Sequence, residues 1–445
     1  MKNLIYICDL ALYNNKNISL SGWIYNKRSS GKIHFLQLRD GTGFTQGVII
    51  KDEIDSKYFN FYKNIKQESS VYIEGIVKEN NKLPFIKYEI IVSYLNLIDN
   101  TFIFPISKKN HGSAFLMQNR HLWIRSIKQY AILRIRANII KMIRLYFDNK
   151  GFILIDSPII TINSCEGTST LFSLTWFNEK KVFLSQSGQL YQEAACMAFG
   201  KTYCFGPVFR AEKSKTRKHL NEFWMAEAEV AFANNKDNVK LAEDLICFII
   251  KNILKDNKNE LVNFLKRDIS ILENIEKPFP IITYTKAVQY LKYIRKNIKN
   301  LELKEMLNLE WGMDLGAPHE NELSKRFKKP IIILDFPFKI KAFYMKRNMH
   351  NNNLASCMDI IAPEGYGEII GGGQREEKIE NIILEIEKNK LSKENLKWFI
   401  ELRKYGSVPH SGFGIGIERI LMWICGLPHI RETIPFPRTM DKIYP

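Results

Sequence analysis

The residues best suited to chemistry lie in one stretch near the middle of the chain. Two β-prone runs, 203–210 and 222–232, flank a basic connection, and this pattern predicts an antiparallel hairpin with a long cationic loop. Four of its side chains could act together: Arg210, Glu212, His219 and Phe223. We expect the first two to share a face of one strand, because they are two residues apart. Arginine suits phosphate oxygens and an aromatic ring suits a base, so the pattern indicates a nucleoside triphosphate site; a hairpin with solvated charges is the alternative.

A second stretch, residues 358–376, holds two carboxylates and a run of glycines. Asp359 and Glu368 stand at the ends of β-prone segments, and the glycines at 371–373 allow a ligand to approach the backbone closely. A donor pair made of carboxylates alone is a hard oxygen site of the kind that holds Mg²⁺ on phosphates. A turn with solvated acids is the alternative.

Three further segments carry polar groups but are weak signals alone. Turns at 164–168 and 184–192 have polar side chains that could converge, although turns of this composition are mostly surface features. The glycine run at 412–416 leads into an apolar helix that contains Arg419, and its spacing is not the dinucleotide-binding fingerprint.

The chain has 445 residues and a formal net charge of +18, which points to a polyanionic partner, nucleic acid before membrane. A general drift of composition toward lysine, asparagine and isoleucine would give the same excess. No apolar run reaches the roughly 20 residues of a membrane span. The seven cysteines are scattered without a C-x-x-C pair, which favours reduced thiols, a cytoplasmic location and no zinc site.

The elements that must position these residues begin with a small β domain. Residues 1–103 contain five short β-prone segments separated by turns, which predicts a barrel of the OB type. Such barrels bind single-stranded nucleic acid by stacking bases on aromatic rings, and Phe35 near Arg28 and Gln46 could serve in this way. A core position is the alternative for Phe35. Residues 104–120 lack periodicity and are predicted to form a hinge.

Residues 121–445 are predicted to form a larger domain of helices and strands. A long helix begins at Ile127 and carries an apolar stripe, Ile132–Tyr146, after which a strand runs to Pro158. The lysine-rich segment at about 234–308 is predicted to be a helical insertion with a solvated face and no chemistry.

Taken in order, these stretches resemble the three motifs of the class II aminoacyl-tRNA synthetases. The helix and Pro158 match motif 1, the FRAE…HLNEFW hairpin matches motif 2, and the glycine run ending at Arg419 matches motif 3. A barrel ahead of them is typical of the subclass that charges aspartate, asparagine and lysine. The resemblance implies an α+β fold, with an OB-type anticodon-binding barrel at 1–103 and a catalytic domain at 121–445 built on an antiparallel sheet flanked by helices. It also implies a homodimer, and we expect the helix and the Pro158 strand at its seam.

The resemblance also assigns roles to individual residues. Arg210 and Arg419 are the expected catalytic residues. The expected ATP site comprises Arg210, Glu212, His219, Phe223, Glu368 and Arg419, with Mg²⁺ on Asp359 and Glu368. The expected amino-acid site comprises Glu166, Gln189, Gln192, Glu227 and Arg375. The expected anticodon site comprises Arg28, Phe35 and Gln46.

Two positions indicate which amino acid is activated. Aspartyl enzymes of the subclass carry a lysine where this chain has Gln192, and an aspartate where it has Glu227. A neutral glutamine does not pair with a substrate carboxylate, whereas a longer carboxylate can accept from a side-chain amide and repel a carboxylate. We therefore expect ATP and L-asparagine to give asparaginyl-AMP, followed by transfer to the 3′ end of tRNA(Asn). The alternatives are an aspartyl enzyme with relaxed tRNA choice and a paralogue that has lost tRNA charging.

The motif 2 loop departs from the family pattern. Lys213 and Lys215 stand where asparagines are common. This departure concerns contacts with the acceptor end of the tRNA and does not alter the expected reaction.

Overall fold

The computed structural model describes residues 5–81, 86–107, 109–165, 170–214 and 216–445. The chain divides into two compact units, residues 1–116 and 117–445. This division falls inside the segment 104–120, and the domain boundaries themselves stay a prediction. None of the helices in the described ranges is both long and apolar enough to cross a membrane.

The first unit is a five-stranded barrel. Its strands are β1 (Asn17–Ser30), β2 (Ile33–Arg39), β3 (Phe44–Ile50), β4 (Ser70–Glu79) and β5 (Tyr88–Asp99), with helix α1 (Ser56–Phe61) between β3 and β4 in the chain. The strands close in the order β1-β2-β3-β5-β4. Alternate residues of β1, Ile18, Leu20 and Ile24, are buried inside the barrel, which is the period-two pattern that predicts these strands.

The second unit is organised around an eight-stranded sheet. The strands of this unit are β6 (Ile153–Leu154), β7 (Ile160–Thr161), β8 (Ser173–Trp176), β9 (Lys180–Leu184), β10 (Lys201–Phe209), β11 (Glu222–Ala231), β12 (Ile281–Thr283), β13 (Ile331–Leu334), β14 (Arg347–Asn348), β15 (Asn351–Ala355), β16 (Cys357–Ala362), β17 (Gly367–Gln374) and β18 (His410–Gly416). The large sheet has the order β12-β13-β16-β17-β18-β11-β10-β6. Its six middle strands are antiparallel, while β12 and β6 each run parallel to their neighbour, so the sheet is mixed at its edges. Strands β7, β9 and β8 form a separate small sheet, and β14 pairs with β15.

Helices flank the large sheet. Those that follow the barrel are α2 (Ser113–Gln118), α3 (Arg120–Trp123), α4 (Ile127–Asn149), α5 (Gln189–Phe199), α6 (Asn235–Asp256), α7 (Ser270–Glu273), α8 (Tyr284–Asn297), α9 (Leu301–Met306), α10 (Ala317–Ser324), α11 (Ile379–Lys388), α12 (Lys397–Glu401) and α13 (Ile417–Cys425). The long helix α4 starts where the sequence predicts, because the Ser126 hydroxyl accepts from the Gln129 backbone N–H and caps the first turn.

The apolar stripe of α4 is covered by the chain's own core. Ile132, Ile135, Ile139 and Ile143 are each 0% exposed and pack with apolar residues of α6 and α13. The predicted use of this stripe as a dimer seam is therefore wrong. Helical periodicity shows that one face is buried, but it does not show what buries it.

The segment 234–308 is helical, but its predicted character as a solvated insertion is wrong for its first helix and its strand. Ile246, Ile249 and Ile253 of α6 are fully buried in the main core, and β12 forms one edge of the large sheet. The lysines of α6 lie on its outer side, so a lysine-rich composition conceals a strongly apolar inner face.

Candidate active site

One cavity of about 640 Å³ gathers most of the predicted site. Residues of β11, β16, β17 and β18 line it, together with flanking loops. The predicted residues along its wall are Gln189, Arg210, Glu212, His219, Phe223, Glu227, Asp359, Glu368, Arg375 and Arg419. Glu166 lies outside the described residues, so its role stays a prediction. The structure thus brings together predicted side chains from four segments of the chain.

Arg210 and Glu212 are held by a loop and not by a strand. Strand β10 ends at Phe209, so the prediction that these two side chains share a strand face is wrong. The Arg210 backbone N–H donates to the Asn221 carbonyl (3.0 Å), and Asn221 Nδ2 donates to the carbonyls of Arg210 (2.8 Å) and Glu212 (3.1 Å). Asn221 therefore clamps both ends of the connection and fixes the direction of the two side chains.

The hairpin end of the cavity combines an aromatic ring with cations. The Arg210 guanidinium carbon lies 5.5 Å from the centre of the Phe223 ring. His219 Nε2 lies 3.7 Å from Glu212 Oε2. Burial, reinforced by the charge of Arg419, lowers the pKa of His219, which keeps its imidazole neutral near pH 7. A flat ring beside an arginine suits a nucleotide base and its phosphates.

The cavity wall also carries the two predicted carboxylates. Lys341 Nζ donates to Asp359 Oδ2 (2.7 Å). Burial raises the pKa of Asp359 to about 7; the Lys341 ammonium acts in the opposite direction and the Glu368 charge adds to the rise. The site therefore favours a positive charge beside Asp359.

The carboxylate pair fits a hard divalent cation. A Cβ on Gly371 would lie 2.7 Å from Glu368 Oε1 and 3.6 Å from Asp359 Oδ1, so the glycine preserves a gap between the two oxygens. In the part of the chain that the structure describes, no three His, Cys, Asp or Glu side chains are grouped to hold a metal. Phosphate oxygens or water would have to supply the other ligands, which is the usual arrangement for Mg²⁺.

Arg419 joins the carboxylate side of the cavity from the first turn of α13. Its Nη1 donates to the Glu368 carbonyl (2.9 Å) and lies 3.5 Å from Glu368 Oε2. The guanidinium thus stands beside the proposed cation site, where it can bind phosphate oxygens.

The remaining part of the cavity is built on a buried ion pair. Arg375 Nε donates to Glu229 Oε1 (3.2 Å), and Arg375 Nη2 donates to Gln189 Oε1 (2.7 Å). Gln189 Nε2 donates in turn to Glu229 Oε2 (2.8 Å). A Cβ on Gly412 would lie 1.9 Å from that same Glu229 oxygen, so only glycine leaves room for the carboxylate. These contacts hold the Arg375 guanidinium and the Gln189 amide in fixed positions, where they can bind a small polar ligand.

Glu227 is anchored beside this pair. It accepts from the Ser187 hydroxyl and from the Gly188 backbone N–H (2.7 Å), and it is 4% exposed. Its carboxylate is therefore held in one orientation at the cavity wall.

Gln192 does not reach the cavity, which corrects its predicted role in binding the amino acid. Its Nε2 donates to the Ile155 carbonyl (2.8 Å) and to Ser157 Oγ (3.2 Å), and the side chain is fully buried. Helix α5 directs Gln189 toward the cavity and turns Gln192, three residues later, toward the protein interior.

Sequence reasoning missed several residues that build the site. Glu229 had a detectable signal, because it follows Glu227 by two residues on β11 and shares its face. Glu193 also had a signal, because it lies one turn after Gln189 on α5. Lys341, Arg403 and His410 had no such signal, because their partners are distant in the chain. Arg403, for example, binds Glu193 from 210 residues away.

The three predicted anticodon residues lie together on the barrel. The Arg28 guanidinium carbon is 4.4 Å from the centre of the Phe35 ring, and Arg28 Nη2 donates to Gln46 Oε1 (3.4 Å). Phe35 is partly exposed, whereas its neighbours His34 and Leu36 are buried. The partly exposed ring, with the Arg28 guanidinium over it, thus forms a cationic aromatic surface that suits stacking of a base.

Comparison with known proteins defines the class of protein to which the chain belongs. Residues 113–440 match the family described as class II tRNA synthetases (D, K and N), and residues 18–98 match the OB-fold nucleic acid binding domain. The chain is 48% identical to the asparagine–tRNA ligase of Sorangium cellulosum and 50% identical to that of Desulforamulus reducens, over 99% of both chains in each case. It therefore belongs to the class II tRNA synthetases, and within them to the asparagine–tRNA ligase family.

Solved structures agree with this assignment. The asparaginyl-tRNA synthetase of Pyrococcus horikoshii, complexed with asparaginyl-adenylate, superposes with a TM-score of 0.93 at 38% identity over the whole of both chains. That of Entamoeba histolytica gives 0.88 at 30% identity over 99% of both. The predicted fold class, a barrel of the OB type followed by a class II catalytic domain, is confirmed.

Proposed function

We propose that the chain activates asparagine with ATP to give asparaginyl-AMP and pyrophosphate, and then transfers asparagine to the 3′ end of tRNA(Asn). The observation that carries this is the convergence, in one cavity, of a phosphate-binding side and an amino-acid-binding side. Arg210, Arg419 and the carboxylates form the first, and Gln189, Glu227 and Arg375 form the second.

The first step needs positioning and charge stabilisation. The asparagine carboxylate attacks the α-phosphorus of ATP in line. A bond forms between the carboxylate oxygen and the α-phosphorus while the bond from that phosphorus to the bridging β-phosphate oxygen breaks, and pyrophosphate leaves. The nucleophile is already ionised, so no general base is needed. Arg210 binds the α-phosphate as charge develops there, Phe223 stacks on the adenine, and Arg419 binds the γ-phosphate. Glu212 and His219 complete the ATP site.

Asp359 and Glu368 are proposed to hold Mg²⁺ on the ATP phosphates. The ion, when bound, neutralises phosphate charge and orients the leaving group. The Lys341 ammonium, paired with Asp359, adds a fixed positive charge on the same side of the cavity.

The second step uses the tRNA. A hydroxyl of its terminal ribose attacks the asparaginyl carbonyl, the ester forms, and AMP leaves with the bonding electrons of the anhydride. We propose that the barrel binds the anticodon at Arg28, Phe35 and Gln46. The net charge of +18 suits a polyanionic substrate.

Selection of asparagine is assigned to Glu227 and Arg375. A carboxylate can accept from the side-chain amide N–H of asparagine and repels the carboxylate of aspartate, while the guanidinium can donate to the amide oxygen. Pyrophosphate exchange with each amino acid separately tests the proposal. We expect asparagine alone to support exchange; equal exchange with aspartate would contradict it.

Phe35→Ala is expected to lower tRNA charging by roughly ten- to a hundredfold while pyrophosphate exchange is unchanged. The reason is that stacking of a base on an aromatic ring contributes about 1–3 kcal/mol. Trp23→Ala is the matched control, because Trp23 is another exposed ring on the barrel with an arginine, Arg39, over it (4.9 Å). A parallel fall in exchange for Phe35→Ala would show that the ring serves only the structure of the barrel.

A homodimer is proposed through the Pro158 side of the predicted seam, without the apolar stripe of α4. Just after Pro158, the residues Ile159, Ile160 and Ile162 are 44%, 41% and 47% exposed, and Leu174 and Trp176 on β8 are 42% and 44% exposed. Ile160 lies on β7, so it shares the small β7-β9-β8 sheet with those two residues. Several exposed apolar side chains on one sheet suit a self-association surface.

Ile160→Asp is expected to convert the dimer to a monomer of about half the mass, since burying an unpaired carboxylate in an apolar interface is strongly unfavourable. Sedimentation equilibrium at micromolar concentration measures this. Leu301→Asp is the control, because Leu301 on α9 is 80% exposed and away from this surface. A fully active wild-type monomer would contradict the proposal.

A cytoplasmic location is also proposed. All seven cysteines are in the thiol form, and five of them are buried, which suits a reducing compartment where tRNA is charged.

A further inference from the structure

A fully buried charged cluster lies behind the amino-acid side of the cavity. Its centre is Glu193, which follows Gln189 by one turn of α5 and is 0% exposed. Arg403 Nη2 donates to Glu193 Oε2, and His410 Nε2 lies 3.0 Å from the same oxygen. Glu193 does not line the cavity, so it cannot touch a ligand bound there.

The Glu193 carboxylate is ionised and is held in place by its neighbours. Burial on its own raises the pKa of Glu193, but the charge of Arg403 and the hydrogen bond and charge of His410 outweigh it and hold the pKa at about 2. Arg403 is fixed further, because its Nε donates to the Glu376 carbonyl (3.1 Å). His410 Nδ1 lies 2.8 Å from the Val408 carbonyl. The Glu193 carboxylate is therefore a stationary acceptor.

This acceptor is one of three groups that fix the orientation of the Gln189 amide, together with Glu229 and Arg375. Gln189 Nε2 has two protons, and it donates one to Glu193 Oε1 (3.3 Å) and the other to Glu229 Oε2 (2.8 Å). Because ionised carboxylates only accept, the NH₂ group must face them. The Gln189 oxygen is left on the other side, where it accepts from Arg375 Nη2 (2.7 Å) at the cavity wall.

We propose that Glu193 is a positioning residue for asparagine binding: held by Arg403 and His410, it fixes the Gln189 amide with its oxygen toward Arg375 and the ligand. The inference rests on the proposed function of the cavity. A Gln189 amide displaced from this position would no longer present its oxygen squarely to Arg375 and to the substrate ammonium. It would therefore weaken asparagine binding without touching the ATP side.

Glu193→Gln tests this, because it preserves shape while introducing an NH₂ group. The oxygen of the new amide still accepts from Arg403, so its NH₂ group faces the NH₂ group of Gln189. Two donors then oppose each other, and the Gln189 amide is pushed out of its position against Arg375. We expect KM for asparagine to rise about ten- to a hundredfold, with KM for ATP and kcat at saturating asparagine within about twofold. Glu385→Gln is the matched control, since Glu385 is another buried glutamate, paired with Arg347 and Lys388.

The KM values distinguish a positioning role of Glu193 from a purely structural one. A parallel rise in both KM values, or a profile identical to that of Glu385→Gln, would show that Glu193 only stabilises the fold and would overturn the inference. If Glu193→Gln does not fold, Arg403→Lys replaces it, with a smaller rise in KM for asparagine alone expected; a change in KM for ATP of the same size overturns the inference. Wild-type exchange is measured first, because failure to exchange with asparagine would refute the proposed function itself.

Discussion

Arg210→Ala is expected to lower the rate of asparaginyl-AMP formation by about 10²–10³, the usual loss when one preorganised donor to a developing anionic charge is removed. The guanidinium stands beside Phe223 at the cavity wall, and the Asn221 clamp holds its backbone. Because Arg210 acts on the transition state, we expect kcat to fall more than KM for asparagine rises. Pyrophosphate exchange under saturating ATP and asparagine measures the effect.

Lys213→Ala provides the control for Arg210→Ala. Lys213 is a cation of the same loop, but it is exposed and does not line the cavity. It is expected to retain exchange within about twofold, because exposed charges are screened by solvent. Equal losses in the two variants would mean that the loop contributes only general positive charge, and the role assigned to Arg210 would be wrong.

Glu227→Gln is expected to cut asparagine activation by roughly ten- to a hundredfold, the scale of a lost charge-assisted hydrogen bond. The ratio of asparagine to aspartate activation is expected to fall further than the activity itself. The change removes the charge that repels a substrate carboxylate, and it places an NH₂ group where the Ser187 hydroxyl and the Gly188 N–H both donate. The measurement is exchange with each amino acid for the wild type and the variant.

Ser187→Ala is the control for Glu227→Gln. It distinguishes loss of the carboxylate charge from loss of a hydrogen bond that anchors the carboxylate. It removes one donor to Glu227 and leaves the carboxylate in place, so the charge of the site is unchanged. Selectivity is expected to persist in this control. An unchanged amino-acid ratio in Glu227→Gln would indicate that the carboxylate serves its protein partners, among them Ser187 and Gly188, and not the substrate.

The fold was predictable where a local pattern fixes a local structure. The alternation in β1 requires a half-buried strand, and the Ser126 cap with the stripe after it requires the start of α4. Neither pattern specifies the partner of the buried face. The stripe of α4 could cover a second chain or its own core equally well, and only the packing of α6 and α13 decides in favour of the core.

Resemblance to the family predicted the site residues that belong to its motifs. The prediction was incomplete for residues whose contacts depend on tertiary structure. Gln192 differs from the aspartyl pattern, yet its side chain binds Ile155 and Ser157 and not the cavity, so the substitution does not discriminate by direct contact. The partners of Arg375 could not be read from the chain, since Glu229 is 146 residues away. Such pairs exist only once the sheet has placed β18 between β11 and β17.

The most direct test is the identity of the ester formed on tRNA(Asn). Purified protein is incubated with ATP, a tRNA(Asn) transcript and an equimolar mixture of asparagine and aspartate, and the acylated terminal adenosine is identified by mass spectrometry. We predict the asparaginyl ester alone on tRNA(Asn), with no ester on a tRNA(Asp) transcript. An aspartyl ester at a comparable rate, or adenylate formation without any ester, would contradict the account.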